Sequence, residues 1–213
     1  MSCCAHCQAT EAHFGPEAAR RDLERYRRRG PDRTTKLILE GIRTTTVRGG
    51  RLLDIGAGIG VIHHELLGSA IDRATHVEAA SAYIGAASEE DERREREGNV
   101  DYVLGDGVEC SGDLTPADVV TLDRVICCYP DWERLVRSSA SKAERVYAFS
   151  MPHDRWYVRI AVTIGNLVRR FRGNGFRTFV HPVAEVDRVL AELGFHRIYL
   201  RRTVVWHVAL YGR

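Results

Sequence analysis

The stretch Arg51-Leu-Leu-Asp-Ile-Gly-Ala-Gly-Ile-Gly60 decides the reading of this chain. Leu52, Leu53 and Ile55 form a short apolar run, which predicts a buried strand. Glycines follow at 56, 58 and 60, so the strand runs into a tight turn and then a helix. Glycine has no Cβ, and a ligand can lie against bare backbone at such a turn. A dinucleotide fingerprint would read G-x-G-x-x-G. Here Val61 follows Gly60, and the third glycine comes one residue too early. Asp54 stands just before the turn, where its carboxylate would repel a diphosphate. A cationic ligand fits that position better.

The following segments agree with a nucleoside-binding βαβ arrangement. Ala74-Thr-His-Val-Glu-Ala79 reads as a second strand ending at Glu78, 18 residues past Gly60. That is near the roughly 20-residue spacing of a ribose-binding carboxylate. Val100-Asp-Tyr-Val-Leu-Gly-Asp-Gly107 reads as a third strand followed by an acidic turn. Ala117-Asp-Val-Val-Thr-Leu-Asp-Arg124 reads as a fourth strand.

In this order and spacing, residues 50 to 130 resemble the cofactor-binding half of class I S-adenosylmethionine (SAM)-dependent methyltransferases. SAM carries an ammonium and a sulfonium and no phosphate, which suits Asp54. The resemblance implies a seven-stranded, mostly parallel Rossmann-like sheet with an antiparallel last strand and an N-terminal helical cover. It implies SAM contacts along Asp54, Gly56, Ala57, Gly58, Gly60, Glu78, Ala79, Asp106, Gly107 and Asp123. Glu78 would take the ribose, and Asp106 the exocyclic amine of adenine. Two further stretches are similar to magnesium-protoporphyrin IX O-methyltransferases. They are Asp123-Arg-Val-Ile-Cys-Cys-Tyr-Pro130 and Phe149-Ser-Met-Pro152 with the later Val180-His-Pro-Val-Ala-Glu185. Those relatives offer a histidine in the turn where this chain has Cys128. The C-C-Y-P turn and the Y-R-R-R-G-P-D-R-T-T entry also resemble an uncharacterised bacterial branch of methyltransferases.

Bulk properties are consistent with one domain. The chain has 213 residues, a 44% hydrophobic fraction and a net charge of +2. We expect residues 1–15 to form a cysteine-bearing tail and residues 16–213 the methyltransferase domain. No apolar run reaches the ~18 residues of a membrane span, and Met1-Ser-Cys-Cys-Ala-His-Cys lacks the apolar core of a signal peptide. A cytoplasmic enzyme without a membrane span is expected, with its six cysteines reduced. Arginines crowd residues 16–51 and 155–177. They read either as solvated helix faces or as a rim that attracts an anionic acceptor. Nucleic acid is a further partner class, but no RNA-binding motif accompanies the arginines. The mixed-charge run 88–97 reads as a solvated helix end.

Strand and helix alternate through the chain, with helices at 16–29, about 34–46, 60–68, 80–97, 131–141, 154–171 and 182–193. The last two strands, 195–201 and 203–211, are joined by so short a turn that they must pair antiparallel. Four residues are the catalytic candidates. Tyr26 and Tyr129 would border the cofactor and acceptor. Cys128 is either a thiol at the methyl site or small apolar filling. His153 is a candidate base, with His181 beside it as a second. Arg155, Arg159 and Arg177 are candidates to bind an acceptor carboxylate or phosphate. His63 and His64 are about 100° apart on one helix, so both cannot enter the site, and a surface or packing role is expected. Cys4 and Cys7 have C-x-x-C spacing near Cys3, His6 and His13, but a structural zinc site usually needs a second knuckle. No metal is assigned. The expected reaction is O-methylation of an anionic small or medium-sized molecule. RNA, thiol or metalloid methylation and a SAM-binding regulator without turnover are the alternatives.

Overall fold

The computed structural model describes residues 5–213, with side chains from Ala9 onward except that of Glu97. Cys3 and Cys4 lie outside the described residues, as do the side chains of His6 and Cys7. Three helices come first: α1 (Ala5–His13), α2 (Pro16–Arg29) and α3 (Arg33–Arg43). Pro16 opens α2, where its missing N–H would have no helical partner anyway. Asp32 caps α3, accepting from the backbone N–H groups of Thr34 and Thr35 at 3.0 and 3.1 Å. Alternation follows as β1 (Gly50–Ile55), α4 (Val61–Leu66), β2 (Ile71–Glu78), α5 (Ser81–Arg93), β3 (Val100–Leu104) and β4 (Ala117–Asp123). The chain ends with α6 (Trp132–Ala140), β5 (Ala143–Pro152), α7 (Trp156–Phe171), α8 (Val183–Glu192), β6 (His196–Arg202) and β7 (Trp206–Gly212).

The sheet order is β3-β2-β1-β4-β5-β7-β6. The first five strands in that order run parallel, and β7 runs antiparallel to both β5 and β6. This is the reversed last strand expected from the short turn before it. Parallel strands are covered on both faces, so adjacent residues of β1 serve different cores. Leu52 packs with Ile38, Leu39 and Ile42 of α3 and with Ile62 and Leu66 of α4. Leu53 faces Leu135 and Val136 of α6 and Val186, Val189 and Leu190 of α8. Each such fully buried side chain contributes about 1.5–3 kcal/mol relative to exposure. A third, smaller cluster joins Ala19, Leu23 and Tyr26 of α2 to Tyr83 and Ala86 of α5. It seats the N-terminal helices beside the ends of the strands.

One charge reading is corrected. The run 88–97 is not a solvated helix end: α5 stops at Arg93, and Glu90 and Asp91 are buried. Burial alone would raise the Glu90 carboxyl, but Arg93, Arg27 and Arg94 bind it and hold it far below its ordinary value. Asp91 accepts from His63 Nε2 at 3.0 Å, meets His64 Nδ1 at 3.0 Å and accepts from the Tyr102 hydroxyl. His63 and His64 are therefore core residues that tie α4 to α5, not surface groups. A mixed-sign run hides such partners because they come from distant segments.

Candidate active site

The strand ends of β1, β2 and β4 converge on the glycine turn. Gly56, Gly58 and Gly60 all have positive φ, at 63°, 58° and 78°. Two are also sterically obligatory. A Cβ on Gly60 would come within 2.2 Å of His63 Cε1, and one on Gly56 within 2.5 Å of Val125 Cγ2. Gly58 is different, because its nearest obstacle is Tyr83 at 3.7 Å. Its bare backbone borders open space, as a ligand cradle requires.

Two adjoining cavities share this turn. The smaller, about 110 Å³, lies between the turn and the α2–α3 connection, with Tyr26, Asp32, Thr35, Asp54, Ala57 and Asp123 in its walls. The larger, about 480 Å³, continues past Glu78, Ala79, Asp106 and Gly107 to Cys127, Cys128 and Tyr129. Its far wall comes from Phe176, Thr178 and Trp206. Phe14 closes it from the N-terminal side, in edge contact with Tyr83 and Phe176 at 5.5 and 5.1 Å.

The acids in these walls have distinct environments. Glu78 Oε2 accepts from Gly58 N at 2.9 Å, and Oε1 from Ala79 N and Ala80 N at 2.8 and 3.0 Å. It locks the glycine turn to the end of β2. Burial raises its carboxyl, and those three N–H groups oppose the rise. Asp106 accepts from Val108 N at 2.8 Å and from the Tyr129 hydroxyl at 3.1 Å. Asp123 accepts from Thr35 Oγ1 at 2.6 Å and from the Ser150 hydroxyl. Next to it, Arg124 adopts a left-handed φ of 63° and pairs with Asp32 at 2.6 Å. That non-glycine residue in a strained region turns the chain over the cavity.

Asp54 stands apart. It is 1% exposed, and its Oδ1 accepts from Thr121 Oγ1 at 2.5 Å. Its Oδ2 is buried with no hydrogen-bond partner. Burial pushes this carboxyl up to about 8, against the Thr121 hydrogen bond and with help from the charges of Asp123 and Glu78. An unpaired buried carboxylate oxygen is costly and calls for a partner.

The catalytic candidates separate. Tyr129 and Cys128 line the large cavity. Cys128 Sγ lies 3.8 Å from Cys127 Sγ, whose thiol pulls its titration down, helped by the charges of Arg169 and Arg124 against burial. The Tyr26 ring borders the small cavity, but its hydroxyl donates to Glu65 at 2.7 Å and receives Arg94 at 2.9 Å. His153 is bonded through Nε2 to the Thr203 carbonyl at 3.1 Å and lines neither cavity. His181 bonds the Tyr129 carbonyl at 3.0 Å and shapes that turn. Arg155, Arg159 and Arg177 are exposed and line neither cavity.

Arg169, which no motif singled out, lines neither cavity but supports the wall of the larger one. Its guanidinium bonds Thr178 Oγ1 at 2.9 Å and lies 5.8 Å from the Phe176 ring, both of which line the large cavity. Its Nε is buried without a partner. Only the density of arginines in 155–177 pointed that way. Asp22 and Arg25 of α2 line both cavities and also carried no sequence signal.

No protein-family model matches the sequence, and no curated protein does. Solved structures do match it. Magnesium protoporphyrin IX methyltransferase from Synechocystis PCC 6803, with bound SAH, aligns with a TM-score of 0.72 at 16% identity, over 97% of this chain and 99% of that one. An O-methyltransferase family 2 protein from Planctomyces limnophilus DSM 3776, in complex with apigenin, aligns at 0.67 and 15%, over 92% of this chain and 61% of the other. A putative sarcosine dimethylglycine methyltransferase from Galdieria sulphuraria aligns at 0.67 and 14%, over 84% and 85%. At these identities the likeness is one of architecture, and it agrees with the strand order and the reversed β7. The chain has the class I SAM-dependent methyltransferase fold.

Proposed function

We propose that this chain is a SAM-dependent methyltransferase, with residues 16–213 as its catalytic domain, that methylates an oxygen of an anionic small or medium-sized molecule. The observation that carries this reading is the orphan Oδ2 of Asp54 beside a glycine turn. A cationic ligand gives that oxygen its missing partner, whereas a phosphate would worsen its position. Glu78 suits ribose hydroxyls, and Asp106 suits the adenine amine. Gly56 and Gly58 present backbone to the cavities, Ala57 lines the smaller one, and Gly60 shapes the turn without lining either, while Ala79 and Gly107 line the larger cavity and Asp123 would stand at the methyl end.

When bound, SAM supplies a methyl group on a cationic sulfur. The chain's own work is then alignment and exclusion of water. A carboxylate acceptor is already nucleophilic at pH 7 and needs no base, which fits a cavity that His153 does not line. Phe14, Phe176 and Trp206 close an apolar wall, and Arg169 braces Phe176 and Thr178 from behind it, adding positive charge near an acceptor anion. Tyr129 orients Asp106. Tyr26 contributes its ring as a wall. A thiol or metalloid acceptor is the second reading, favoured by the Cys128 thiol on the cavity wall. The test is transfer of a labelled methyl group to a panel of carboxylates, phenols and thiols. Base-labile ester products support the first reading, and label on thiols alone overturns it in favour of the second.

A further inference from the structure

A helix packed on a core normally turns its apolar stripe inward. Helix α7 does the reverse. Trp156, Ile160, Ile164, Leu167, Val168 and Phe171 are between 42% and 81% exposed. At 100° per residue, they share a face roughly 120° wide. The opposite side meets the body through Val158, the one buried residue of the helix, with Val162, Asn166 and Arg169 half-buried around it. Val204 and Val205, also exposed, extend the patch, because the Tyr157 hydroxyl holds the Val204 carbonyl at 2.8 Å. A contiguous apolar patch of this kind marks an interaction site.

Arginine outweighs acid at its border, where exposed Asp154 precedes the helix. Arg155, Arg159, Arg170, Arg172, Arg201 and Arg202 are all exposed, and residues 155–184 contain no aspartate or glutamate. A second copy of the chain is a poor occupant, since a two-fold pairing would bring these arginines against themselves. An anionic and apolar partner is required. The face is a convex helix without a groove, with Trp156 at one end and Phe171 at the other. That shape suits a fluid surface better than a structured protein.

We propose that α7 and the 203–205 turn form a docking surface for an anionic phospholipid bilayer. The helix would lie in the interfacial plane, its apolar side chains among the acyl boundary and its arginines at the headgroups. No helix among the described residues is long and apolar enough to cross a membrane, so the attachment is peripheral. Trp206, next to Val205, lines the large cavity, and docking therefore brings that cavity's wall to the lipid surface. On the methyltransferase reading above, this suits an amphiphilic acceptor, but the docking itself does not depend on that reading.

The test is co-sedimentation of the full chain with phosphatidylglycerol-containing vesicles and with neutral phosphatidylcholine vesicles. We expect binding to the anionic vesicles, weakened by salt. Trp156→Ala or Phe171→Ala should each weaken it about tenfold, as loss of one large buried apolar side chain predicts. Arg159→Ala and Arg172→Ala should each cost about fivefold, the worth of one basic residue near an anionic surface. Unchanged melting temperatures show that the variants remain folded. No binding to anionic vesicles at low salt overturns the proposal, as does equal binding to neutral ones. A concentration-dependent dimer that Trp156→Ala abolishes overturns it in favour of a second copy.

Discussion

Asp54→Asn separates the cost of the unligated site from its use. In the folded chain the Asp54 carboxyl is held at about 8, against an ordinary value of 3.8. At pH 7 the folded state therefore holds a proton that the unfolded state has lost. With about 1.4 kcal/mol per unit, that difference costs about 4 kcal/mol of stability at pH 7. Asparagine abolishes this cost. It can still accept from Thr121, but it leaves a buried N–H group unpaired, at about 1–3 kcal/mol. The net expectation is a gain of about 1–3 kcal/mol, or roughly 2–12 °C in melting temperature for a chain of this size. Because the folded value is raised, wild-type stability falls as pH rises from about 4 towards 8. The advantage of the variant should be absent near pH 4 and full above pH 8. SAM affinity should move the other way, because asparagine cannot ionise to meet the cationic ligand as the aspartic acid can. Calorimetric melting of both proteins from pH 4 to 9 measures the first effect, and titration with SAM the second. A variant that is less stable than wild type at every pH would refute the assignment of Asp54 as an unpaired buried acid.

Other expectations follow from the same geometry. Gly60→Ala should cost about 1–3 kcal/mol, since it combines a left-handed backbone with a collision on His63, whereas Gly58→Ala should lose more SAM affinity than stability; equal melting temperatures for the two would contradict the cradle role of Gly58. Cys128→Ala should retain normal SAM affinity and most turnover on a carboxylate acceptor, and complete loss of turnover would move the thiol into the chemistry. Cys128→His should gain activity on a magnesium porphyrin only if the pocket accepts a tetrapyrrole, which the same assay reads. Arg169→Ala should raise the acceptor KM with little change in SAM binding, while Arg155→Ala and Arg159→Ala should leave that KM unchanged; the reverse pattern would return the acceptor to the exposed rim.

The strand pattern, the glycine turn and the acids at 54, 78 and 106 were legible because each is local. Leu52 and Leu53 serve opposite cores by simple alternation, and Glu78 follows the turn at a fixed distance along the chain. Gly194, at φ 84°, follows the end of α8, close to the 193 limit expected for that helix. What was hidden depends on long-range pairing. Glu90 and Asp91 read as solvated because Arg27, His63, His64 and Tyr102 come from other elements. Arg169 reads like its neighbouring arginines until the loop carrying Phe176 and Thr178 folds against it. The period of α7 is equally strong whether its apolar stripe faces in or out, so only the structure could assign its direction. His153 looked available because the sequence does not show that the Thr203 carbonyl occupies it.

The central claim is that the glycine turn, Asp54 and Glu78 bind SAM. Titration calorimetry of the full chain with SAM, S-adenosylhomocysteine and NAD tests it most directly. One SAM per chain is expected, no NAD binding, and a clear loss of affinity in Glu78→Ala. That loss corresponds to one or two charge-assisted hydrogen bonds, each worth about 1.5–3 kcal/mol. Absence of SAM binding by the folded wild-type chain, or tight binding of NAD in its place, would contradict the account.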